Sequence, residues 1–482
     1  MSGIFTDSPQ LFSELALEIR LFTDDRHIEE LSAPSQQGFC LVHVSDETDG
    51  FYSKAELFID GTCVCSKEVK LNVPFSGELE FKKYKKRAAK QSVYDCLRDY
   101  YKKDMPWGSL TGIRPTKLFR QIAFSDGLDA ARNKFLNEFF VSNEKLALSE
   151  EIFNVQRDII LSAKPDEIDV YVGIPFCTSR CAYCSFSSGL TSKTGEAERR
   201  YVDALVKEIS LMKPVFDKYA VRSIYIGGGT PTALECAELE RVLDAVCAVS
   251  ANSIEFTVEA GRPDTITPDK LKLIKQAGAG RISVNAQTTC DRTLERIGRV
   301  HTYADFVRVF ELAKTYGFDA INTDIIAGLP GETSNEVRKT LEDVVSLGAE
   351  NVTVHTLAIK HGSKFAQDNA KAFTDSNEAE KMISDARAYT SLMGYKPYYL
   401  YRQKYMAGNL ENVGYALEGK ECIYNIDIME ETMSILALGS GGISKRLFSQ
   451  EDRIERAANV KDLKNYFERT EEMAERKLEL FL

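Results

Sequence analysis

Cys177, Cys181 and Cys184 stand in the run Tyr-Val-Gly-Ile-Pro-Phe-Cys-Thr-Ser-Arg-Cys-Ala-Tyr-Cys, a spacing that suits iron–sulfur chemistry. Three thiolates on a short loop hold three irons of a [4Fe–4S] cube and leave the fourth iron open for a ligand. A structural zinc site closes with a fourth Cys or His. Here the next partner position is Phe186, and the chain has only five His. The competing reading is three cysteines that merely pack. A loop otherwise made of Ser, Arg and Thr is a poor core segment.

Further polar and glycine residues follow at intervals. Gly227-Gly228-Gly229-Thr230-Pro231 lets the backbone approach a ligand closely, so that carbonyls meet an ammonium group; a tight strand-to-helix turn is the alternative. Glu259 and Asp324 lie beside apolar runs, placed to accept from ribose hydroxyls or to face a sulfonium, or else to form surface ion pairs. Gln287 suits an adenosine and Arg299 a carboxylate, though Arg299 also suits a structural pair with an acid. His301 reads as a hydrogen-bonded structural histidine.

The elements that must carry these residues alternate in type. Strand-like runs begin near Ile168, Ser223, Ile254, Arg281, Ala320 and Asn351. Between them lie helix signals: Thr267 before Pro268, and capping boxes Thr302/Asp305 and Thr333/Glu336. Phe306, Val309, Phe310 and Ala313 mark one apolar helical face. Six strand–helix units predict an α/β fold, a partial (β/α)6 TIM-like barrel. Chemistry in such barrels collects at the C-terminal ends of the strands. There lie the cysteines, the triple glycine, Glu259, Gln287, Asp324 and Thr356-Leu357-Ala358.

Residues 1–160 read as an N-terminal α+β domain, with a hairpin at Asp60-Gly61 and a basic helical segment from Lys82 to Lys103. The barrel is expected over 165–370. An α+β extension over 371–482 covers it and ends in a charged helical run from Asp452 to Leu482. The chain has 482 residues, 44% of them hydrophobic, enough for a large core. Its net charge of −11 makes nucleic acid an unexpected partner. Eleven cysteines, an odd number, do not form the framework of a secreted domain. No leader-like start or apolar run of about 18 residues is present, so no membrane span and a cytoplasmic location are expected.

The runs Tyr171 to Phe186, Gly227 to Thr232, Ile282 to Gln287, Ile297 to His301 and Asn322 to Gly331 resemble the oxygen-independent coproporphyrinogen III oxidase family of radical S-adenosylmethionine (SAM) enzymes. Within it, Trp107 to Lys117 and Tyr398 to Lys404 resemble the coproporphyrinogen dehydrogenase (HemZ-type) branch, which carries an extra N-terminal domain. The resemblance implies a radical SAM barrel that binds a [4Fe–4S] cluster and SAM. It implies coproporphyrinogen III as the tetrapyrrole substrate, decarboxylated to protoporphyrinogen IX through a 5′-deoxyadenosyl radical. An electron donor and acceptor are further partners, not specified by these residues. Matched by motif, Cys177, Cys181 and Cys184 hold the cluster, while Tyr171, Tyr183, Gly228, Gly229, Thr230, Glu259, Gln287, Arg299, Asp324, Ala358 and Ile443 contact SAM.

The same resemblance leaves a rival open. The oxidase proper carries a fourth cysteine where this chain has Phe186, a substitution shared by heme-chaperone relatives. A heme-binding protein without decarboxylase turnover, or a heme-modifying radical SAM enzyme, therefore stands beside the oxidase. Candidate anchors for the substrate carboxylates are Arg180, Arg402, Lys404 and the Lys82–Arg87 cluster. Tyr398, Tyr399 and Tyr401 suit a flat macrocycle or ordinary packing.

Overall fold

The structure, a computed structural model, describes the chain apart from residues 1, 24–26, 112–113, 187, 251–252, 360–361, 368–374, 404–405, 407–409 and 449–452. Lys404 thus lies outside the described residues. Two compact units form, Met1–Glu150 and Glu151–Leu482.

The first unit is built on a five-stranded sheet in the order Ile28–Leu31, Ser2–Thr6, Phe39–Asp46, Phe51–Ile59, Thr62–Leu71. Its last two strands form the hairpin expected at Asp60-Gly61. Both turn residues adopt positive φ, +47° and +77°, as a two-residue turn of this hand demands. Helices Phe12–Phe22 and Gly77–Tyr101 bury Leu15, Ile19, Val93 and Leu97 against Ile4, Leu41 and Leu57. The basic cluster on the longer helix is committed within its own unit, Lys82 to Glu78, Lys85 to Glu47 and Lys86 to Glu14.

The second unit is organised by one eleven-stranded sheet. Six parallel strands run in chain order: Glu167–Ile174, Ala220–Gly228, Glu255–Gly261, Arg281–Val284, Ala320–Ala327 and Asn351–Thr356. Helices connect them, as the alternating pattern implies. Thr267 caps its helix by accepting from the Lys270 amide, and both capping boxes form. Along these strands Val170, Val172, Ile226, Val258 and Val354 are buried away from the cavity. The residues alternating with them, including Tyr171, Tyr225, Glu259, Ser283, Asp324 and His355, line an internal cavity. The period of two in side-chain direction separates the two sets.

Two elements depart from the sequence reading. Ser434–Leu438 is a seventh parallel strand, paired with the first strand from Ser434↔Ile168 to Leu438↔Val172. Arg453–Ala458, expected to be helical, is a strand antiparallel to Ile443–Phe448. Its charged sequence shows no apolar alternation, and a partner ladder formed a few residues upstream overrides local preference. Helices Leu463–Glu468 and Thr470–Phe481 follow it.

The C-terminal segment is locked to the barrel by one buried carboxylate. Glu208, on helix Glu196–Leu211, accepts from the Gly439 amide at 2.8 Å, Asn459 Nδ2 at 2.7 Å and Tyr466 Oη at 2.6 Å, and pairs with Lys477. Glu208 and Lys477 are both fully buried. Their pairing fixes the Gly439–Gly442 turn beside the first strand.

Candidate functional site

The three cysteines occupy the loop after the first strand, and this loop is pinned on several sides. The Gly189 amide donates to Pro175 O at 2.8 Å, Ala182 N to Ile297 O at 2.9 Å and Phe365 N to Ala182 O at 3.1 Å. Arg262, just after the third strand, donates to Ser179 O at 3.2 Å and Ser179 Oγ at 2.8 Å and reaches Cys181 Sγ at 3.5 Å. Asp264 orients Arg262 through Nε at 3.1 Å and accepts from Thr178 Oγ1 at 2.9 Å. Cys177 Sγ lies 3.5 Å from Thr230 Oγ1. Burial pushes the Cys184 thiol up, and the nearby sulfurs of Cys181 and Cys177 add to the shift. Sequence reasoning missed Arg262 and Asp264. Their place in Glu259-Ala-Gly-Arg-Pro-Asp264, on the same rim as the other site residues, was the available signal.

The triple glycine packs against this loop. The Gly229 amide donates to Ile174 O at 2.7 Å. A Cβ on Gly229 would lie 2.5 Å from Phe176 O, and Gly228 has φ +114°. Neither position tolerates a side chain, because the backbone leading into the cysteines passes directly over it.

Glu259 faces Gly227 and Gly228. Burial, with Asp324 adding to it, pushes its carboxyl up to about 8, against partial relief from the Gly228 amide and Tyr225. Asp324 behaves oppositely. Burial alone would raise it, but His355, Asn322 and Thr353 more than offset this and hold it below the usual range. Asn322 Nδ2 donates to Asp324 Oδ1 at 2.9 Å, and His355 Nε2 lies 3.7 Å from Oδ2. Two carboxyls in one cavity are thus driven apart in acidity, the pattern of groups set to separate tasks.

The raised Glu259 carboxyl has a measurable consequence. Its folded-state pKa lies above the ordinary 4.5. The associated stability is therefore full below about 4.5 and lost as pH rises through about 8. Thermal melts of apoprotein from pH 5 to 9 are expected to show wild type losing several degrees relative to Glu259→Gln. Parallel melting curves for the two proteins would contradict the assignment.

The remaining candidates divide into three groups. Arg299 is buried and donates to Tyr183 Oη at 3.2 Å, while its Nε and Nη1 have no hydrogen-bond partner. Gln287 adopts φ +64°, its amide donating to Asp324 O at 2.7 Å, a strained backbone for a residue other than glycine. Ala358 bridges to Met406, and Ile443 opens a strand and is about half exposed. Neither lines the cavity. His301 differs from expectation: both ring nitrogens lack hydrogen bonds, and Nδ1 lies 3.9 Å from Asp264 Oδ1, an ion-pair separation only.

The cavity measures about 620 Å3 and carries Tyr171, Gly228, Gly229, Glu259 and Asp324 on its wall. Tyr225 stacks on Tyr424 with ring centroids 4.8 Å apart, and Tyr171 lies near-parallel to both. Tyr398, Tyr399 and Tyr401 complete an aromatic lining; Tyr401 Oη and His355 Nδ1 are 3.1 Å apart. Arg402 approaches Leu410 O at 3.5 Å, and Arg180 donates to Gly362 O at 2.8 Å.

The residues present fit a cluster with SAM on its open iron. Among the described residues no three His, Cys, Asp or Glu converge on a single ion, but in a [4Fe–4S] cube each thiolate binds a different iron. The two unpartnered N–H groups of buried Arg299 call for an anionic ligand, because an unmet buried charged donor is costly.

Comparison with known proteins gives four findings. A family model described as the Radical SAM superfamily matches residues 171–344. The oxygen-independent coproporphyrinogen-III oxidase-like protein HemZ of Bacillus subtilis is 36% identical over 429 residues, covering 87% of this chain and 86% of that protein. The heme chaperone HemW of the same organism is 36% identical over 198 residues, 40% of this chain and about half (52%) of that relative. Among solved structures, coproporphyrinogen III oxidase (HemN) from Escherichia coli shares the fold with a TM-score of 0.53 at 23% identity, over 66% of this chain and 73% of that one. No helix among the described residues is long and apolar enough to cross a membrane.

Proposed function

Because this chain belongs to the oxygen-independent coproporphyrinogen-III oxidase-like family of radical SAM proteins, we propose that it decarboxylates coproporphyrinogen III to protoporphyrinogen IX without oxygen. The cofactors of this superfamily, a reduced [4Fe–4S] cluster and SAM, together supply a 5′-deoxyadenosyl radical that takes a hydrogen atom from carbon.

Cys177, Cys181 and Cys184 would hold three irons, with Arg262 fixing the loop between them. Arg299 would receive the SAM carboxylate on its unpartnered Nε and Nη1. Carbonyls of Gly227–Gly229 would meet its ammonium group, Glu259 and Asp324 would accept from its ribose, and the ionised Asp324 would balance its sulfonium. Tyr171, Tyr183, Thr230 and Gln287 would frame the nucleoside; Ala358 and Ile443 stand apart from the cavity wall. The buried tyrosine wall excludes water and keeps the substrate β-carbon beside the radical. In each round a propionate loses one hydrogen atom, CO2 and one electron, the electron passing to an external acceptor, and a vinyl group remains. Two rounds complete the conversion.

One observation carries this reading: the likeness to the oxidase-like relative runs through 87% of the chain. A cavity of about 620 Å3 is also ample for a ligand site. A second reading, heme handling without decarboxylation, is favoured by Phe186, which stands where the oxidase proper has its fourth cysteine. Anaerobic incubation of reconstituted protein with SAM, reductant, acceptor and coproporphyrinogen III separates the two. The expected product has lost two CO2, matched by 5′-deoxyadenosine. Tight heme binding with every carboxylate retained would transfer the assignment to the second reading.

A further inference from the structure

Two full cations, Arg281 and Lys461, stand on the cavity wall, at opposite ends of the barrel, and only one is already engaged. Arg281 begins the fourth strand, at the floor. Its guanidinium donates to Lys420 O at 2.8 Å and to Asn351, and lies 3.5 Å from Glu255. Lys461 stands at the mouth, beside Gly441 and Gly442 and beyond the C-terminal end of the seventh parallel strand. It is exposed, and its ammonium has neither a hydrogen bond nor an ion pair among the described residues. Its aliphatic stem runs close to Gly441, where an added Cβ would lie 3.5 Å from Lys461 Cγ.

The rest of the wall determines what this free cation is suited to hold. Asp324 is an ionised carboxylate of the inner wall, so a ligand bearing several carboxylates meets like charge if it enters with those groups towards it. At the mouth the sign is reversed. Phe186 also lines the cavity and is 66% exposed, so an apolar ring is available on the same wall. An uncommitted ammonium and an exposed aromatic ring on one cavity wall fit a flat apolar macrocycle fringed by carboxylates. Arg299, buried beside the cysteine loop, does not line the cavity.

We propose that Lys461 anchors a peripheral carboxylate of the tetrapyrrole at the cavity mouth, with Phe186 beside the macrocycle, so that the opposite edge points inward. This rests on the tetrapyrrole reading above. The anchor selects the orientation in which a propionate away from Lys461 reaches Gly228 and Glu259.

The test uses the full chain, reconstituted with cluster and SAM, titrated anaerobically with coproporphyrin III and with its tetramethyl ester by fluorescence. Lys461→Gln is expected to weaken coproporphyrin binding about fivefold and Lys461→Glu about tenfold or more. Lys461→Arg should restore near wild-type affinity, and binding of the uncharged ester should not change in any variant. Lys272→Glu, the same charge change at an exposed lysine of helix Pro268–Gln276, is the control for net charge. In turnover, KM for coproporphyrinogen should rise with kcat nearly constant. Equal coproporphyrin affinity in wild type and Lys461→Glu overturns the anchor while leaving the functional reading intact. A wild-type protein that binds no coproporphyrin overturns the tetrapyrrole reading, and the anchor with it.

Discussion

Replacing Cys181 with alanine is expected to remove the iron–sulfur absorbance of the reconstituted protein and to reduce SAM cleavage below detection. Cys181 is buried, and Arg262 reaches its sulfur while holding Ser179. Its sulfur and that of Cys177 are close enough to Cys184 to add to the upward shift of the Cys184 thiol. Two thiolates leave two irons without protein ligands, and the cube is not retained. The fold should survive, because backbone bonds from Ala182 to Ile297 and from Phe365 to Ala182 hold the loop independently of the thiols. Iron and sulfide content, visible absorbance and 5′-deoxyadenosine yield read the effect, with circular dichroism as the check on folding. With eleven cysteines in the chain, Cys63→Ala is the necessary control, since Cys63 is exposed on a strand of the first unit. It should keep the full cluster. A Cys181→Ala protein with normal iron, sulfide and SAM cleavage would contradict the ligand assignment.

Lys477→Met should destabilise the second unit by about 3–5 kcal/mol, the cost of leaving a buried charge without its partner. Glu208 and Lys477 are inaccessible to solvent, so water cannot take over from the missing ammonium. Glu208→Gln should also destabilise, because the Gly439 amide, Asn459 and Tyr466 all donate to that carboxylate. The double variant should cost clearly less than the two single effects added together, since the groups share one network. Denaturant unfolding of apoprotein measures all three. Additive losses would mean that the pair is not coupled. The same network holds the turn that carries Gly441 and Gly442 to the cavity mouth, so a weakened pair should also raise KM for the substrate.

The barrel was legible in the chain because each strand announces itself by alternation and each helix by its cap. In the first strand the buried Val170 and Val172 alternate with Tyr171 and Gly173, which line the cavity, and Thr302 and Thr333 form the capping boxes their spacing implies. The rim residues were legible through position, since parallel strands deliver their C-terminal ends to one face. Arg262 was not, because its value lies in reaching another loop, and an arginine after a strand carries no local mark. The seventh parallel strand and Arg453–Ala458 were also hidden. Each depends on a ladder partner distant or unremarkable in sequence, Ile168–Val172 for the first and Ile443–Phe448 for the second. The tyrosine wall appeared only in part. Tyr398 to Tyr401 were conspicuous as a run, whereas Tyr171, Tyr225 and Tyr424 come together only when the strands and helix Ile423–Glu430 assemble.

The central claim is that a radical formed beside Glu259 and the triple glycine removes hydrogen from a propionate β-carbon. The most direct measurement supplies coproporphyrinogen III deuterated at those carbons to the reconstituted protein with SAM, and follows the label by mass. Deuterium in 5′-deoxyadenosine, one equivalent for each CO2 released, is the result expected here. Unlabelled 5′-deoxyadenosine with all four carboxylates intact would contradict it.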